Sequence, residues 1–333
     1  MTVARRRVAF RSHNQTQSSA SMTTVADDRC WVCASASLQP YKPRSERRAL
    51  ASADLRITDS RYGVTLALWQ CQDCGFVLAV DDELRELYSL YERLDDPGYE
   101  HTQGVRTRQM LRLLRQALRL QPRARTLLDI GAGAGAMVRQ ARDLGIDAAG
   151  IEPSVALVGS AERINGVRLL QGRFPHPAIA HRQFDIITIV DVIEHLSTPV
   201  ELLCHAAEAL APDGMLVVVT PDVGSVAARL LKRRWWHFRM AHVGYFNRAT
   251  ILMAAQRAGL RVVRVGRPTF YFTLEYIVNR LQRYLPIGTI DRLARKSSAG
   301  RWLYRQVIPV NPHDSLVVFL RRRDQTGGKE AHA

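Results

Sequence analysis

Four cysteines fall into two C-x-x-C pairs, Cys30-Trp31-Val32-Cys33 and Cys71-Gln72-Asp73-Cys74-Gly75. Each pair can close two thiolates around one ion, and zinc takes four such ligands tetrahedrally. The 37 residues between the pairs exceed the spacing of a simple knuckle, so a hairpin or β-rich insertion has to fill the gap. Gly75 suits the tight turn behind a metal ligand. Two pairs favour metal over a redox site, and structural zinc on Cys30, Cys33, Cys71 and Cys74 is the expectation. Cys204 stands alone on a predicted helix and reads as a core residue.

A second chemical signal is Leu127-Leu128-Asp129-Ile130-Gly131-Ala132-Gly133-Ala134-Gly135, an apolar strand running into a glycine-rich turn. Glycines there let backbone approach a ligand, and the following helix N-terminus favours negative charge. Glu152 lies 21 residues after Gly131, at the end of the next predicted strand. A carboxylate in that place can accept from both hydroxyls of a ribose. Gly131, Gly133 and Ala136 also fit the dinucleotide pattern G-x-G-x-x-G/A. Asp129 weighs against a pyrophosphate, which it would repel, and suits an ammonium group.

Two further segments follow in order. The fourth predicted strand ends in Asp191-Val192-Ile193-Glu194-His195-Leu196, and the fifth is preceded by Leu210-Ala211-Pro212-Asp213-Gly214. With these, residues 100–265 resemble the class I S-adenosylmethionine (SAM) dependent methyltransferases, whose D-I-G-x-G-x-G motif Asp129 to Gly135 meets at every position. The resemblance implies a doubly wound, Rossmann-like, mostly parallel sheet of seven strands. It puts the methionine part of SAM on Asp129, Ile130, Gly131, Ala132, Gly133 and Gly135, and the ribose on Glu152 and Pro153. It puts the adenine near Arg173 and Phe174, where many relatives carry an acid instead of Arg173, and brings Asp191 to the cofactor side.

Methyl transfer to a hydroxyl needs alignment and a proton acceptor. His195 is the first candidate base, because it follows the fourth strand at the sheet edge where such folds bind substrates. Asp191, Glu194 and His195 also resemble the acid-x-x-Glu-His cluster of some quinone-pathway O-methyltransferases, which would hold a divalent ion. The stretch Trp235 to Phe246 carries His242 and Tyr245, secondary candidates in an aromatic acceptor pocket. Tyr88 and Tyr91 stand behind them.

These residues need elements to hold them. Apolar spacing predicts helices over 82–94 and 104–120, the latter with Met110, Leu111, Leu114 and Leu118 inward. Strands are expected at 126–130, 146–151, 167–170, 184–190, 215–220, 260–265 and 315–320, alternating with helices at 154–163, 198–210 and 248–258. Pro212-Asp213-Gly214 reads as a turn. Six units follow: a disordered tail 1–29, a four-cysteine, zinc-ribbon-like module 30–80, a helical lead-in 81–122, the SAM core 123–267, a basic helical insertion with the last strand 268–322, and a tail 323–333.

Composition narrows the partners. The 333 residues carry a net charge of +16 and 47% hydrophobic side chains, which excludes a mainly disordered chain. Residues 126–255 hold 12 basic and 12 acidic side chains, whereas residues 256–333 hold 15 and 5, so the predicted core is neutral and the C-terminal quarter basic. A basic amphipathic segment, 274–296, suits contact with an anionic membrane or packing on the sheet. With neither a secretory signal nor an 18-residue apolar run, the expected location is cytoplasmic and peripheral at most. Nucleic acid is disfavoured as acceptor: no Asn/Asp-Pro-Pro-aromatic motif follows the fourth strand. The expected function is methyl transfer from SAM to a small or lipid-linked acceptor, a saccharide hydroxyl in particular. RNA methylation and a non-catalytic zinc-ribbon protein are the alternatives. The four-cysteine module ahead of the SAM domain resembles bacterial methyltransferases that accompany polysaccharide, glycolipid or natural-product assembly.

Overall fold

The structure is a computed structural model that describes residues 29–46, 50–56, 58, 61–80, 83–96, 98–99, 102–282, 284–286 and 288–323. The expected tails, apart from Arg29 and Arg323, lie outside the described residues.

Seven strands form the central sheet: β4 Thr126–Ile130, β5 Asp147–Glu152, β6 Leu170–Gln171, β7 Phe184–Val190, β8 Leu210–Pro221, β10 Leu260–Gly266 and β13 Ser315–Arg322. Their order across the sheet is β10-β13-β8-β7-β4-β5-β6. Neighbours from β8 to β6 pair in parallel, and β13 pairs antiparallel with both β8 and β10, so β13 alone runs against the rest. The chain leaves β4 towards β5 on one side and returns to β7 on the other. That reversal opens a crevice at the carboxyl ends of β4 and β7, where open sheets of this kind take ligands.

Period-two alternation builds both faces. Leu128, Ile187 and Val218 pack one way, with Leu203 and Ala206 of α5 (Pro199–Glu208) and Ile251 and Ala254 of α7 (Arg248–Arg257). Leu127, Ile186 and Val217 pack the other way, against α2 (Gln103–Leu120) and α3 (Ala136–Asp143). The buried stripe of α2 is Gln109, Met110, Leu113, Leu114 and Ala117. It is rotated from the expected one: Leu113 takes the place given to Leu111 and Leu118, which are half-buried.

Two other expectations change. Pro212-Asp213-Gly214 is not a free turn but a register break inside β8, since Phe184 pairs with Leu210 and Ile186 with Met215. The third strand shrinks to Leu170–Gln171 because only Ile151 and Glu152 of β5 pair with it. The segment 274–296 breaks at Pro286 and Gly288, as those residues require, into α8 (Leu274–Leu281) and α9 (Gly288–Lys296). Among the described residues, no helix is long and apolar enough to cross a membrane.

A second sheet orders β1 (Leu38–Lys42), β2 (Leu68–Cys71), β3 (Val77–Ala79) and β9 (Gly244–Tyr245) as β1-β2-β3-β9. It seats the cysteine segment on the Trp-rich segment: Val77 pairs with Tyr245, and Phe76 lies 4.8 Å from Phe246. The ribbon of β11 (Phe270–Thr273) and β12 (Val307–Val310) closes the far end, with α10 (Ser298–Tyr304) before it. Two short helices complete the set, α1 (Leu84–Glu92) and α6 (Val226–Leu231), with α4 (Val155–Asn165) between β5 and β6.

Candidate active site

β4 ends at Ile130 and the chain turns through three left-handed glycines, Gly131, Gly133 and Gly135, with φ of 73°, 55° and 77°. A Cβ on Gly131 would run into Val192, and one on Gly133 into Tyr99 Oη. Only glycine gives both the backbone angle and the clearance at those two positions. The Gly131 and Ala132 N–H groups donate to Ile151 O at 2.9 Å each, which ties the loop to β5.

Two carboxylates flank this loop. Asp129 is 5% exposed, and its Oδ1 accepts from Thr188 Oγ1 at 2.6 Å. Burial pushes it up to about 7, against the Thr188 bond and the charge of Arg106. Glu152 is 1% exposed; its Oε2 accepts from Gly133 N at 2.8 Å and its Oε1 from Ser154 N at 2.9 Å. Burial pushes it up to about 7 as well. Two buried acids with so little compensating positive charge suit a cationic ligand, which favours their ionised form. The residues present therefore fit SAM: Asp129 would hold its ammonium, Glu152 its ribose, and the glycine turn would allow close backbone approach.

Three residues that the sequence reading did not single out complete the wall. Tyr99 is buried against Gly133, and the Arg106 guanidinium lies 5.4 Å over its ring. Arg106 also stands 3.9 Å from Asp191 Oδ2. Asp191 takes φ 55°, a left-handed backbone that a non-glycine residue holds only under constraint. Thr188 is legible in hindsight, as a hydroxyl in a strand that is otherwise almost wholly apolar, in register with Asp129. Arg106 shares the helical face of Gln103 and Met110, which the period of α2 would have disclosed.

Beyond Asp191 lies a histidine cluster. His195 Nδ1 is 2.7 Å from Ala241 O, and His242 Nδ1 is 2.8 Å from His237 O. A carbonyl only accepts, so both Nδ1 atoms carry the proton and both Nε2 atoms keep a lone pair. The two rings meet edge to face, with centroids 4.9 Å apart. Burial pulls His195 down to about 4 and holds His242 well below the usual imidazole range. Glu194 is buried between them; its Oε2 accepts from Thr220 Oγ1 at 3.0 Å and its Oε1 has no partner. Burial and the Asp191 charge push its carboxyl well up. Ligand atoms of Glu194, His195 and His242 lie within 4.8 Å of one another, and a divalent ion would find two lone pairs and one carboxylate there. Asp191 is not part of that group.

A neighbouring pair also escaped the sequence. His237 Nε2 is 3.1 Å from Asp314 Oδ2, and Trp236 Nε1 donates to the same oxygen at 2.5 Å. Burial raises the Asp314 carboxyl, but the His237 and Trp236 bonds outweigh it and hold the group below the usual range. Nothing near Asp314 in the sequence signals this, because the partner is 77 residues away.

Of the remaining predicted residues, Tyr91 and Tyr245 border this cluster and Arg173, Phe174 and Tyr88 make other contacts. Tyr245 is 1% exposed in β9, packs 5.1 Å from Phe238, and donates to Arg239 O. Arg173 is exposed, pairs with Glu92 at 2.8 Å and lies over Tyr88. Phe174 packs half-buried on the sheet core. Tyr91 faces His195 at 6.1 Å between ring centroids, and the Tyr88 and Ser197 hydroxyls are 2.8 Å apart.

The four cysteines converge. Cys30 Sγ is 3.5 Å from Cys74 Sγ, Cys33 Sγ is 3.4 Å from Cys71 Sγ, and all four lie within 4.8 Å of one another.

Residues 100–265 match the model of a methyltransferase domain family. A ubiquinone biosynthesis O-methyltransferase of Rhodopseudomonas palustris (strain TIE-1) is 31% identical over 129 residues, 35% of this chain and 44% of that protein. One of Bradyrhizobium sp. (strain ORS 278) is 30% identical over the same length. The chain thus spans less than half the length of the curated relatives it matches. A SAM-dependent methyltransferase from Archaeoglobus fulgidus is similar over 68% of this chain and 100% of its own, with 15% identity and a TM-score of 0.47. Residues 100–265 are thus a methyltransferase domain of the SAM-dependent kind.

Proposed function

We propose that the chain moves the methyl group of SAM to a hydroxyl of a small or lipid-linked acceptor, a saccharide hydroxyl in the first instance. The observation that carries this reading is one sheet edge holding both parts: a carboxylate-flanked glycine turn and, past Asp191, two imidazoles that burial keeps neutral. SAM supplies an electrophilic methyl on sulfur. With SAM bound, the acceptor oxygen would take that carbon in line as the carbon–sulfur bond breaks with its electron pair going to sulfur, and His195 Nε2 would take the hydroxyl proton. Asp191, with Arg106 beside it, lies between the two halves of the site.

Tritium transfer from methyl-labelled SAM to panels of saccharide and lipid-linked saccharide acceptors tests this reading directly. Once an acceptor is in hand, His195→Ala is expected to lower kcat about 10²-fold or more and to leave SAM affinity within about twofold. Unchanged turnover would remove His195 from the chemistry. His237→Ala is expected to act in the same direction, with Asp314→Asn milder, because Asp314 orients the imidazole rather than touching the acceptor.

A second reading is favoured by the base itself. An imidazole held near 4 is poorly matched to an alcohol and better matched to a phenol, whose pKa is about 10. The O-methyltransferase relatives fit that alternative, and an ion held by Glu194, His195 and His242 would lower the acceptor pKa in place of the base, because His195 Nε2 cannot hold the ion and take the proton at once. Transfer to a catechol but to no saccharide, lost with chelator and restored by Mg2+, would establish this second reading over the first.

A further inference from the structure

A cleft of about 300 Å3 opens between β1 and the segment that carries α6, on residues that belong neither to the glycine turn nor to the histidine cluster. Lys42, Arg229, Lys232 and Arg233 line it, with Tyr41 and Phe238 as apolar walls 6.3 Å apart between ring centroids. No acidic side chain lines it. Arg229, Lys232 and Arg233 have no carboxylate partner among the described residues.

Lys42 is the most telling of the four. Its side chain is 6% exposed, yet its Nζ donates only to neutral groups, Ser45 Oγ at 2.7 Å and Thr65 Oγ1 at 2.9 Å. A buried ammonium ordinarily has a carboxylate opposite it. Here burial, and then the like charge of Arg233, pull Lys42 down to about 8. The backbone around it is held in place as well. Lys232 takes φ 48°, and Gly63 at φ 83° is pressed so closely on Arg233 O that a Cβ would sit 2.7 Å from it. Constrained backbone of this sort collects at binding sites. Four cations on one cleft, with no acid among its lining residues, are complemented by an outside anion with several oxygens.

We infer that this cleft is a binding site for a phosphate-bearing ligand, a diphosphate in particular, with Lys42, Arg229, Lys232 and Arg233 as its donors. The inference requires neither SAM nor a methyl acceptor, so it stands or falls apart from the catalytic reading. The phosphate has two sources, a soluble molecule or a lipid headgroup. Val226 and Leu230 of α6 are 63% and 77% exposed beside the cleft, which is what a lipid-borne phosphate would use.

The test is calorimetric titration of inorganic pyrophosphate into the full chain at low salt. Saturable binding at one site per chain is expected, weakened roughly tenfold or more in the Arg229→Ala/Arg233→Ala double variant. The control double variant Arg261→Ala/Arg264→Ala removes the same charge from the exposed face of β10 and is expected to bind as the parent does. Thermal unfolding confirms that both remain folded. Absence of saturable binding, or equal weakening in the two double variants, would overturn the site. Sedimentation with phosphatidylglycerol vesicles then separates the sources. Vesicle binding that pyrophosphate displaces, and that Val226→Ser/Leu230→Ser abolishes, makes the phosphate lipid-borne; pyrophosphate binding without vesicle binding makes it soluble.

Discussion

SAM affinity is expected to rise steeply with pH and to level off above about 7. Asp129 and Glu152 are both pushed up to about 7 by burial, from ordinary values of 3.8 and 4.5. The signs are opposite for the free and the bound protein. In the free protein the neutral carboxyl is the favoured form, so between pH 4.5 and 7 the folded chain holds more protons than the unfolded one. Its stability therefore falls as pH rises through that window. The ligand's ammonium needs Asp129 ionised, its ribose hydroxyls need Glu152 as a pure acceptor, and its own ammonium stays protonated over the same range. Below pH 7, binding must therefore expel protons, and affinity should drop at least about tenfold per pH unit. Calorimetry from pH 5.5 to 8 checks this, and thermal shifts should show SAM stabilising least where the free protein is most stable. Asp129→Asn is expected to cost about a hundredfold in affinity at pH 8 and to flatten the slope. Glu152→Ala goes further, because it also orphans the N–H groups of Gly133 and Ser154 and loosens the turn itself. An affinity that is flat across this pH range would remove the two acids from the binding of SAM.

The sequence disclosed this site unevenly, for physical reasons. Asp129 to Gly135 was legible because a tight left-handed turn admits few residue types, and the structure needs glycine there for space as well as for φ. Strand β7 was legible because burial on both faces leaves a nearly unbroken apolar run. Its one hydroxyl, Thr188, could have been assigned to Asp129 only by knowing the register of β4 against β7. Long-range pairs carried no local signal. Asp314 meets His237, and His195 meets His242, only because the sheet order brings β13 and the Trp-rich segment to one edge.

Regions near the ends of the sheet were less legible still. Alternation in β1 to β3 is short and broken, and its partner β9 is only two residues long. The ribbon of β11 and β12 pairs residues 34 to 40 positions apart, so neither strand gave a hairpin cue. The C-terminal charge left membrane contact and packing on the sheet both open for segment 274–296. Arg280 lies over three rings, those of Tyr62, Trp236 and Tyr276, at 4.8 to 5.5 Å, so this guanidinium is packed on aromatic faces.

Replacing Cys74 by serine is expected to release about one zinc per chain and to cost several kcal/mol of stability. A tetrahedral site with Zn–S bonds of about 2.3 Å places its sulfurs about 3.8 Å apart. The 3.4 and 3.5 Å separations here sit close to that and far from the roughly 2.05 Å of a disulfide. Structural zinc supplies roughly 10 kcal/mol or more of apparent binding free energy in small domains, comparable with the whole stability of a fold. The loss should not stay local. Phe76, two residues past Cys74, packs on Phe246, Val77 pairs with Tyr245, and Arg257 of α7 donates to Val32 O between the first two cysteines. Through those contacts a zinc ion on the four sulfurs would brace the segment that carries His237 and His242. Burial pushes the Cys30 thiol up to about 11 and raises Cys74 too, so zinc uptake must release protons and weaken as pH falls. Metal analysis of Cys74→Ser against the parent chain, and titration of zinc in two buffers of different ionisation heat, check both parts. A parent chain purified without chelator that carries no zinc, and whose unfolding midpoint chelator leaves unmoved, would show that the four sulfurs meet as thiols and hold no ion.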